Sequence, residues 1–274
     1  MDVRLSPEQV ALRDSAAQVV DRLGPGTVAQ LDDGERTGKL DAAVAAAGWR
    51  ELRTATDAGT PWASAVEVAV IAEELGRGLA DAAFLGPTLA ADLRRRAGAP
   101  PATSNETVAL APDLSRLAVA DGEADATAVD AHGARAALLV LASEGGRRLV
   151  QITLDSENTR TDLTRPVARG RDGEQPTAFD GQTRVLNDDD MTQWQSLGLA
   201  ATCADLVGTM RGALALATEY AKERKQYGAT IGSFQAVQHM LADALVATEG
   251  SRSVALHAAW AVDALRADEA LAAC

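Results

Sequence analysis

Cysteine, histidine and aromatic side chains are all scarce in this 274-residue sequence. The two cysteines, Cys203 and Cys274, are too few for a disulfide framework, and no CxxC pair is present. The three histidines, His132, His239 and His257, are scattered rather than grouped with cysteines at ligand spacing, so no metal site is expected. Positive charge is also in short supply. There are 26 Lys and Arg against 39 Asp and Glu, a formal net charge of −13. Such a chain repels a polyanion, which sets nucleic-acid binding aside while leaving room for a local basic pocket. No run of about 20 uninterrupted apolar residues offers a membrane span. The opening MDVRLSPEQV lacks the basic-then-apolar order of a signal peptide. A soluble cytoplasmic protein with no nucleic-acid or membrane partner is the expectation.

What the sequence holds in abundance is alanine. Apolar residues make up 47% of the chain while aromatics contribute only 3%. Alanine combines the best helix propensity with a small side chain, so this composition reads as closely packed helices. Ser6-Pro7-Glu8-Gln9 is a strong helix start, with Ser6 able to cap, Pro7 suited to the first helical position and Gln9 able to close a capping box. Val10, Leu12, Ala16, Val19, Val20 and Leu23 form its apolar stripe, and Gly24-Pro25-Gly26 ends it. Further helices are expected at about 39–48, 63–75 and 87–97, with Gly76 as a C-cap and Pro87 opening the last.

The texture changes between 105 and 190. The apolar runs 137–142 and 149–154 flank a Glu-Gly-Gly-Arg connection, which predicts a hairpin. Segments 108–111 and 117–120 are candidate strands, and 162–170 reads as an extended connector. From about 193 the helical period returns. Leu206, Met210, Leu214, Ala217 and Ala221 share one face of a long helix (about 194–225), which Gly228 through Gly232 breaks. Ser233 is positioned to cap a second long helix (about 234–266), on which Val237, Leu241 and Leu245 share a face. The expected fold is therefore mainly α with a small β domain. A helical N-terminal domain spans 1–104, a short antiparallel β domain 105–190 and a C-terminal antiparallel helix bundle 191–274.

The most informative stretch is YAKERKQYGATIGSFQAVQHMLAD, residues 220–243. Arg224 stands at a helix end before a glycine break, which would project its guanidinium from the bundle. A guanidinium held in place pairs with an anionic oxygen ligand better than a mobile ammonium does. Taken alone, Arg224 and Glu223 would read as solvated helix-end charges and Phe234 as core. The pattern as a whole, Arg-x-x-aromatic-Gly followed by a Phe-Gln pair, resembles the signature of the acyl-CoA dehydrogenase superfamily. Tyr220, Arg224, Gln226, Tyr227, Gly228, Ile231, Gly232, Phe234, Gln235, Gln238 and Asp243 stand where that signature expects them. LSPEQVALRD (5–14), GWREL (48–52) and EELGRGLA (73–80) resemble the family's N-terminal helices, and TRP (164–166) and FDG (179–181) the end of its β domain.

The resemblance implies flavin adenine dinucleotide as cofactor, α,β-dehydrogenation of an acyl-CoA thioester as reaction and an electron-transfer flavoprotein as electron acceptor. It also implies that the turn reaches across a subunit interface to a neighbour's flavin. That role carries over to Arg224 and Gln235, then to Gln226, Tyr227, Ile231 and Phe234. The sequence departs from the family in several places. Between 105 and 190 there is no Thr-Glu-Pro…Gly-Ser-Asp segment, and the nearest pieces, Asp121-Gly122 and Gly145-Gly146, lack its hydroxyl and acidic pattern. An arginine common at the start of the first long C-terminal helix would fall near Leu199, and the glutamate base of some members would fall at Gly198. The more usual base and a Gly-Gly turn lie beyond residue 274 in the family, so by that comparison the bundle is incomplete. The resemblance thus points to a short, divergent subunit that acts with a homologous subunit in a hetero-oligomer, or with a second copy of itself. Two rivals remain: an incomplete chain of a homomeric dehydrogenase, and a non-catalytic helical subunit that stabilises a partner and binds no flavin.

No catalytic residue is assigned. Removing the α-proton of an acyl-CoA needs a carboxylate placed on the reacting carbon, and Glu219, Glu223 and Glu249 read as solvated helix charges instead. His239 reads as a helix-packing polar residue, His257 as part of an alanine-rich interior, Trp260 as core and Cys203 as a small buried hydrophobe.

Overall fold

The computed structural model describes residues 4–114, 116–119, 126–155, 162–171, 175–179 and 183–274. Asp121, Gly122, Ala120 of the second candidate strand, and Asp180 and Gly181 of the FDG segment lie outside them. Helix α1 (Pro7–Leu23) begins with the expected box: Gln9 N donates to Ser6 Oγ at 3.2 Å, and Ser6 N donates to Gln9 Oε1 at 3.0 Å. Helix α2 (Gly34–Ala46) is capped by Asp33. Helix α3 (Ala65–Arg77) uses Ser64 and Glu67 in a second capping box, and helix α4 (Leu85–Ala97) ends at a left-handed Gly98.

The sheet departs from the antiparallel expectation. Strands β1 (Glu106–Leu110), β2 (Thr127–Val129), β3 (Ala136–Ser143), β4 (Gly146–Thr153), β5 (Ala168–Arg169) and β6 (Thr177–Ala178) lie in the order β5-β2-β1-β3-β4-β6. β1 runs parallel to β3, and the other neighbours pair antiparallel. The expected hairpin is β3–β4, closed through Glu144 and a left-handed Gly145 with Ser143 opposite Gly146. Leu117 and Val119 form isolated bridges to Leu110 and Val140 rather than a strand of their own.

Helix α5 (Asp188–Glu223) starts at an Asn187 cap and runs for 36 residues, α6 (Gln235–Ala264) returns beside it, and α7 (Ala267–Ala273) follows. The principal core joins Leu40, Ile71, Leu75, Phe84 and Leu93 of the N-terminal helices to Val108, Leu138 and Leu149 of the sheet and to Trp194, Leu197 and Val262 of the C-terminal helices. α3 lies at its centre, buried continuously from Val68 to Gly76. Three glycines let α3 and α5 meet backbone to backbone. An added Cβ would stand 2.1 Å from Asp205 O at Gly76, 1.9 Å from Glu73 O at Gly208 and 2.2 Å from Arg77 O at Gly212. Gly76 is thus a packing contact inside α3 rather than its C-cap, which is Gly78.

The same packing corrects the face assigned to α5. Its buried residues are Trp194, Ser196, Leu197, Ala200, Ala201, Ala204, Val207, Gly208 and Ala221; of the expected stripe only Ala221 is among them, while Leu206 and Met210 face outward. Cys203 is half-exposed beside that buried row. By length and composition alone α5 is long and apolar enough to cross a membrane. Within this fold it is tied to its neighbours by charge: Asp205 binds Arg165, and Arg211 binds Glu73 and Glu74 of α3.

Candidate functional site

The C-terminal half of α5 and the N-terminal half of α6 form an arm, in which only Ala221 and Thr248 are buried between Thr209 and Gly250. At its tip the chain must reverse direction between two helices. Arg224 closes α5, its N–H donating to Tyr220 O at 2.8 Å, and its own carbonyl accepts from Ile231 N at 2.8 Å. Between them β7 (Lys225–Gln226) pairs with β8 (Ala229–Thr230), joined by Tyr227 at φ +53° and Gly228 at φ +82°. Two successive left-handed residues make the mirror-image turn that fits a two-residue hairpin. For Tyr227 that conformation costs roughly 1–2 kcal/mol. Its ring meets Phe234 edge-on, with centroids 6.5 Å apart.

The return into α6 is built from backbone contacts. Gly232 packs so close to α5 that an added Cβ would lie 2.9 Å from Ala221 O. Ser233 was expected to cap α6, but its hydroxyl donates to Thr230 O at 2.6 Å, and α6 begins without a side-chain cap. Gln238 Nε2 donates to Gly232 O at 2.9 Å and closes the turn from the other side.

This tip brings all six residues singled out in the sequence into one short, hydrogen-bonded structure. Arg224, Gln226, Tyr227, Phe234 and Gln235 are exposed, Tyr227 at 94%, and Ile231 is half-buried. Lys222 is paired with Glu219 at 2.6 Å, whereas no carboxylate among the described residues pairs with the Arg224 guanidinium. Residues 219–227 carry three cations (Lys222, Arg224, Lys225) and two anions (Glu219, Glu223), a local excess of one positive charge in a chain of net charge −13. Free guanidinium and amide donors on a turn fixed by its own backbone suit a phosphate-bearing anion.

The remaining candidates do not gather into a catalytic centre. Glu223, Glu249 and His239 are exposed, and Glu219 is held by Lys222. His257 stacks on Trp260 at 5.6 Å, and Trp260 lies at the surface rather than in the core. On α6, Val237 and Leu241 are half-buried while Leu245 is exposed. Among the described residues no group of three or more His, Cys, Asp or Glu could hold a metal ion.

Two buried charge clusters that sequence reasoning missed tie α5 and α6 to the rest of the fold. Asp92 of α4 receives Arg53 at 3.2 Å, Arg95 at 2.8 Å and Arg96 at 2.6 Å. Burial alone would raise its pKa, but Arg96, Arg53 and Arg95 outweigh that and hold it at about 2. Arg53 also grips Asp263 of α6 at 3.0 Å, and Arg96 reaches Gln193 of α5 at 2.9 Å. Asp92, Arg95 and Arg96 stand at i, i+3 and i+4, a spacing that could have flagged part of the cluster. In the second cluster Arg165 donates to Ala80 O at 2.8 Å and to Asp205 at 2.5 Å. Burial raises the pKa of Asp205, and the nearby Asp130 and Asp162 add to this against the pull of Arg165.

Residues 196–274 match the family described as acyl-CoA dehydrogenase, C-terminal domain. Over 207 residues the chain is 30% identical to acyl-CoA dehydrogenase IpdE2 of Mycobacterium tuberculosis, a match covering 71% of this chain and 56% of that relative. The chain thus spans little more than half the length of that curated relative. Among solved structures, a chain of the ChsE4-ChsE5 complex from Mycobacterium tuberculosis superposes with a TM-score of 0.78 at 22% identity, covering 100% of this chain and 82% of that one. A variant of the Tcur3481-Tcur3483 steroid ACAD superposes with a TM-score of 0.73 at 24% identity, covering 97% of this chain and 81% of that one. At these identities the structural likeness speaks for the fold.

Proposed function

Because the chain belongs to the acyl-CoA dehydrogenase superfamily, we propose that it is a subunit of a flavin-dependent enzyme that dehydrogenates an acyl-CoA thioester between its α and β carbons. The observation that carries this reading is the exposed Arg224 guanidinium, unpaired among the described residues, on the backbone-fixed turn at 224–235. Flavin adenine dinucleotide is the cofactor assigned, and the donor set fits it. Arg224 supplies a planar cation for the pyrophosphate, and the amides of Gln226 and Gln235 supply neutral donors. When bound, the flavin supplies the hydride-accepting chemistry of the reaction. This chain's part is to bind and orient: Arg224 and Gln235 hold the anionic end, while Tyr227, Ile231 and Phe234 give the turn an apolar surface. No residue of this chain is assigned as the base.

The tip serves a flavin held by a partner chain. Residues 105–190 lack a Thr-Glu-Pro…Gly-Ser-Asp cradle, and the tip stands at the end of an arm that projects from the core. The named likenesses that are complexes support a homologous acyl-CoA dehydrogenase chain as that partner, with a second copy as the alternative. The steroid ACAD among them makes a steroid-derived acyl-CoA the first substrate to try. Electron transfer to an electron-transfer flavoprotein and a cytoplasmic location belong to the same reading. The visible spectrum tests it. The chain purified alone is expected to hold little flavin, and the chain purified with a homologous acyl-CoA dehydrogenase subunit to be yellow. Stoichiometric flavin on the isolated chain would refute the shared site.

A further inference from the structure

A cavity of about 300 Å³ opens between the outer face of α4, the turn at 49–55 and the segment 99–106. It shares no residue with the 220–243 tip. Its lining is mostly apolar: Pro87 and Ala91, one turn apart on α4, face Ala99 and Pro101. Three guanidiniums line it as well; Arg94 is engaged through all three nitrogens, while Arg50 and Arg95 are fixed by the fold with one nitrogen to spare. Arg50 donates Nε–H to Ala83 O at 2.8 Å and pairs through Nη2 with Asp41, which leaves Nη1 without a partner among the described residues. Arg95 gives Nε–H and Nη2–H to Asp92, and its Nη1 has only a 3.5 Å contact to Gly59 O. Both side chains are nearly buried, at 12% and 13% exposure. The lining charges are Arg50, Arg94 and Arg95 against Glu51 and Glu106, and Asp41 and Asp92 behind the lining pair with Arg50 and Arg95. Glu106 is fully engaged by Arg94, at 2.5 and 2.7 Å, and accepts from Gln151 at 3.3 Å.

An apolar slot whose free donors are pre-positioned guanidiniums has a definite complement. We propose that this cavity binds a medium-chain carboxylate, its alkyl tail against Pro87, Ala91, Ala99 and Pro101 and its carboxylate on Arg50 and Arg95. The volume lies at the lower end of small-molecule pockets, roughly 300–1,000 Å³, which suits a short linear acid better than a fused-ring skeleton. Each spare Nη1–H can add one charge-assisted hydrogen bond to a carboxylate oxygen, and neither arginine has to be ordered by the ligand.

Calorimetric titration of the 274-residue chain with sodium octanoate tests this, with octylamine as the probe of equal length and opposite charge. Saturable one-to-one binding of octanoate is expected, with octylamine binding at least about tenfold more weakly. Ala91→Trp fills the slot from a half-exposed helical position and abolishes binding. Arg50→Gln removes one charge-assisted donor and weakens binding roughly tenfold or more. Circular dichroism checks the fold of each variant, and Ala102→Trp, on an exposed position of the opposite wall, replaces Ala91→Trp if that variant unfolds. Equal binding of the two probes, octanoate binding that survives the tryptophan variant, or no saturable binding of octanoate would each overturn the assignment.

Discussion

Replacing Asp92 by asparagine removes one negative charge, at almost constant volume, from an ion cluster that water does not reach. Asp92 is 0% exposed and holds three guanidiniums, of which, among the described residues, only Arg53 pairs with a second carboxylate, Asp263. In the variant Arg95 and Arg96 lose their carboxylate and remain largely buried. The depression of the Asp92 pKa from 3.8 to about 2 corresponds to about 2 kcal/mol of preference for the charged form. That figure is a floor, because it compares the carboxylate with its own neutral acid. Breaking a buried ion pair by removing one partner typically costs about 3–5 kcal/mol, so a loss of about 3 kcal/mol is expected for Asp92→Asn. The pH dependence has a definite sign. A carboxylate whose folded pKa lies below its unfolded value stabilises the fold above the unfolded pKa, and that contribution is lost as pH falls through the folded one. The gap between wild type and Asp92→Asn should therefore stay constant from pH 7 to about 4 and narrow between about 4 and 2. Urea unfolding followed by tryptophan fluorescence measures the gap at each pH. A difference under about 1 kcal/mol at pH 7, or one that does not narrow in acid, would refute the claim that Asp92 is the hub.

Two glycine substitutions probe the α3–α5 contact. Gly208→Ala would set its Cβ against Glu73 O and should destabilise by about 2 kcal/mol or more, whereas Gly250→Ala, in open space on α6, should be neutral or stabilise by up to about 1 kcal/mol; thermal melts rank the pair, and equal melting temperatures would contradict the packing. Gly232→Ala must push the tip away from Ala221 O, so it should lower flavin retention in the assembled complex while leaving helical circular dichroism unchanged. Retention equal to wild type would show that the pose of the tip does not matter.

The sequence made local features legible and long-range ones not. Ser6 and Gln9 announced the start of α1, and the two apolar runs around Gly145 announced β3–β4, because each signal lies within a few residues of the structure it sets. The tip was legible for the same reason: Arg224 through Gln235 are contiguous, so a motif and a structure coincide. Parallel pairing of β1 with β3 escaped because a parallel neighbour is chosen by the whole sheet and leaves no local mark. The face of α5 was misread because two stripes compete on it. Leu206 and Met210 are the larger and more apolar, yet the contact with α3 is backbone to backbone and selects Ala204 and Gly208. Arg53 and Asp263 lie 210 residues apart, and nothing in either segment points to the other.

The central claim is that Arg224 holds the pyrophosphate of a partner's flavin, and flavin occupancy of the co-purified complex tests it most directly. Arg224→Ala, Arg224→Lys and wild type are compared by absorbance near the flavin band at equal protein concentration and equal helical content. Loss of a charge-assisted contact of about 1.5–3 kcal/mol predicts that flavin affinity falls roughly tenfold or more in Arg224→Ala. Arg224→Lys should recover it only in part, since an ammonium keeps the charge and not the fork. Wild-type occupancy in Arg224→Ala would contradict the account and leave Arg224 a solvated charge at the end of a helix.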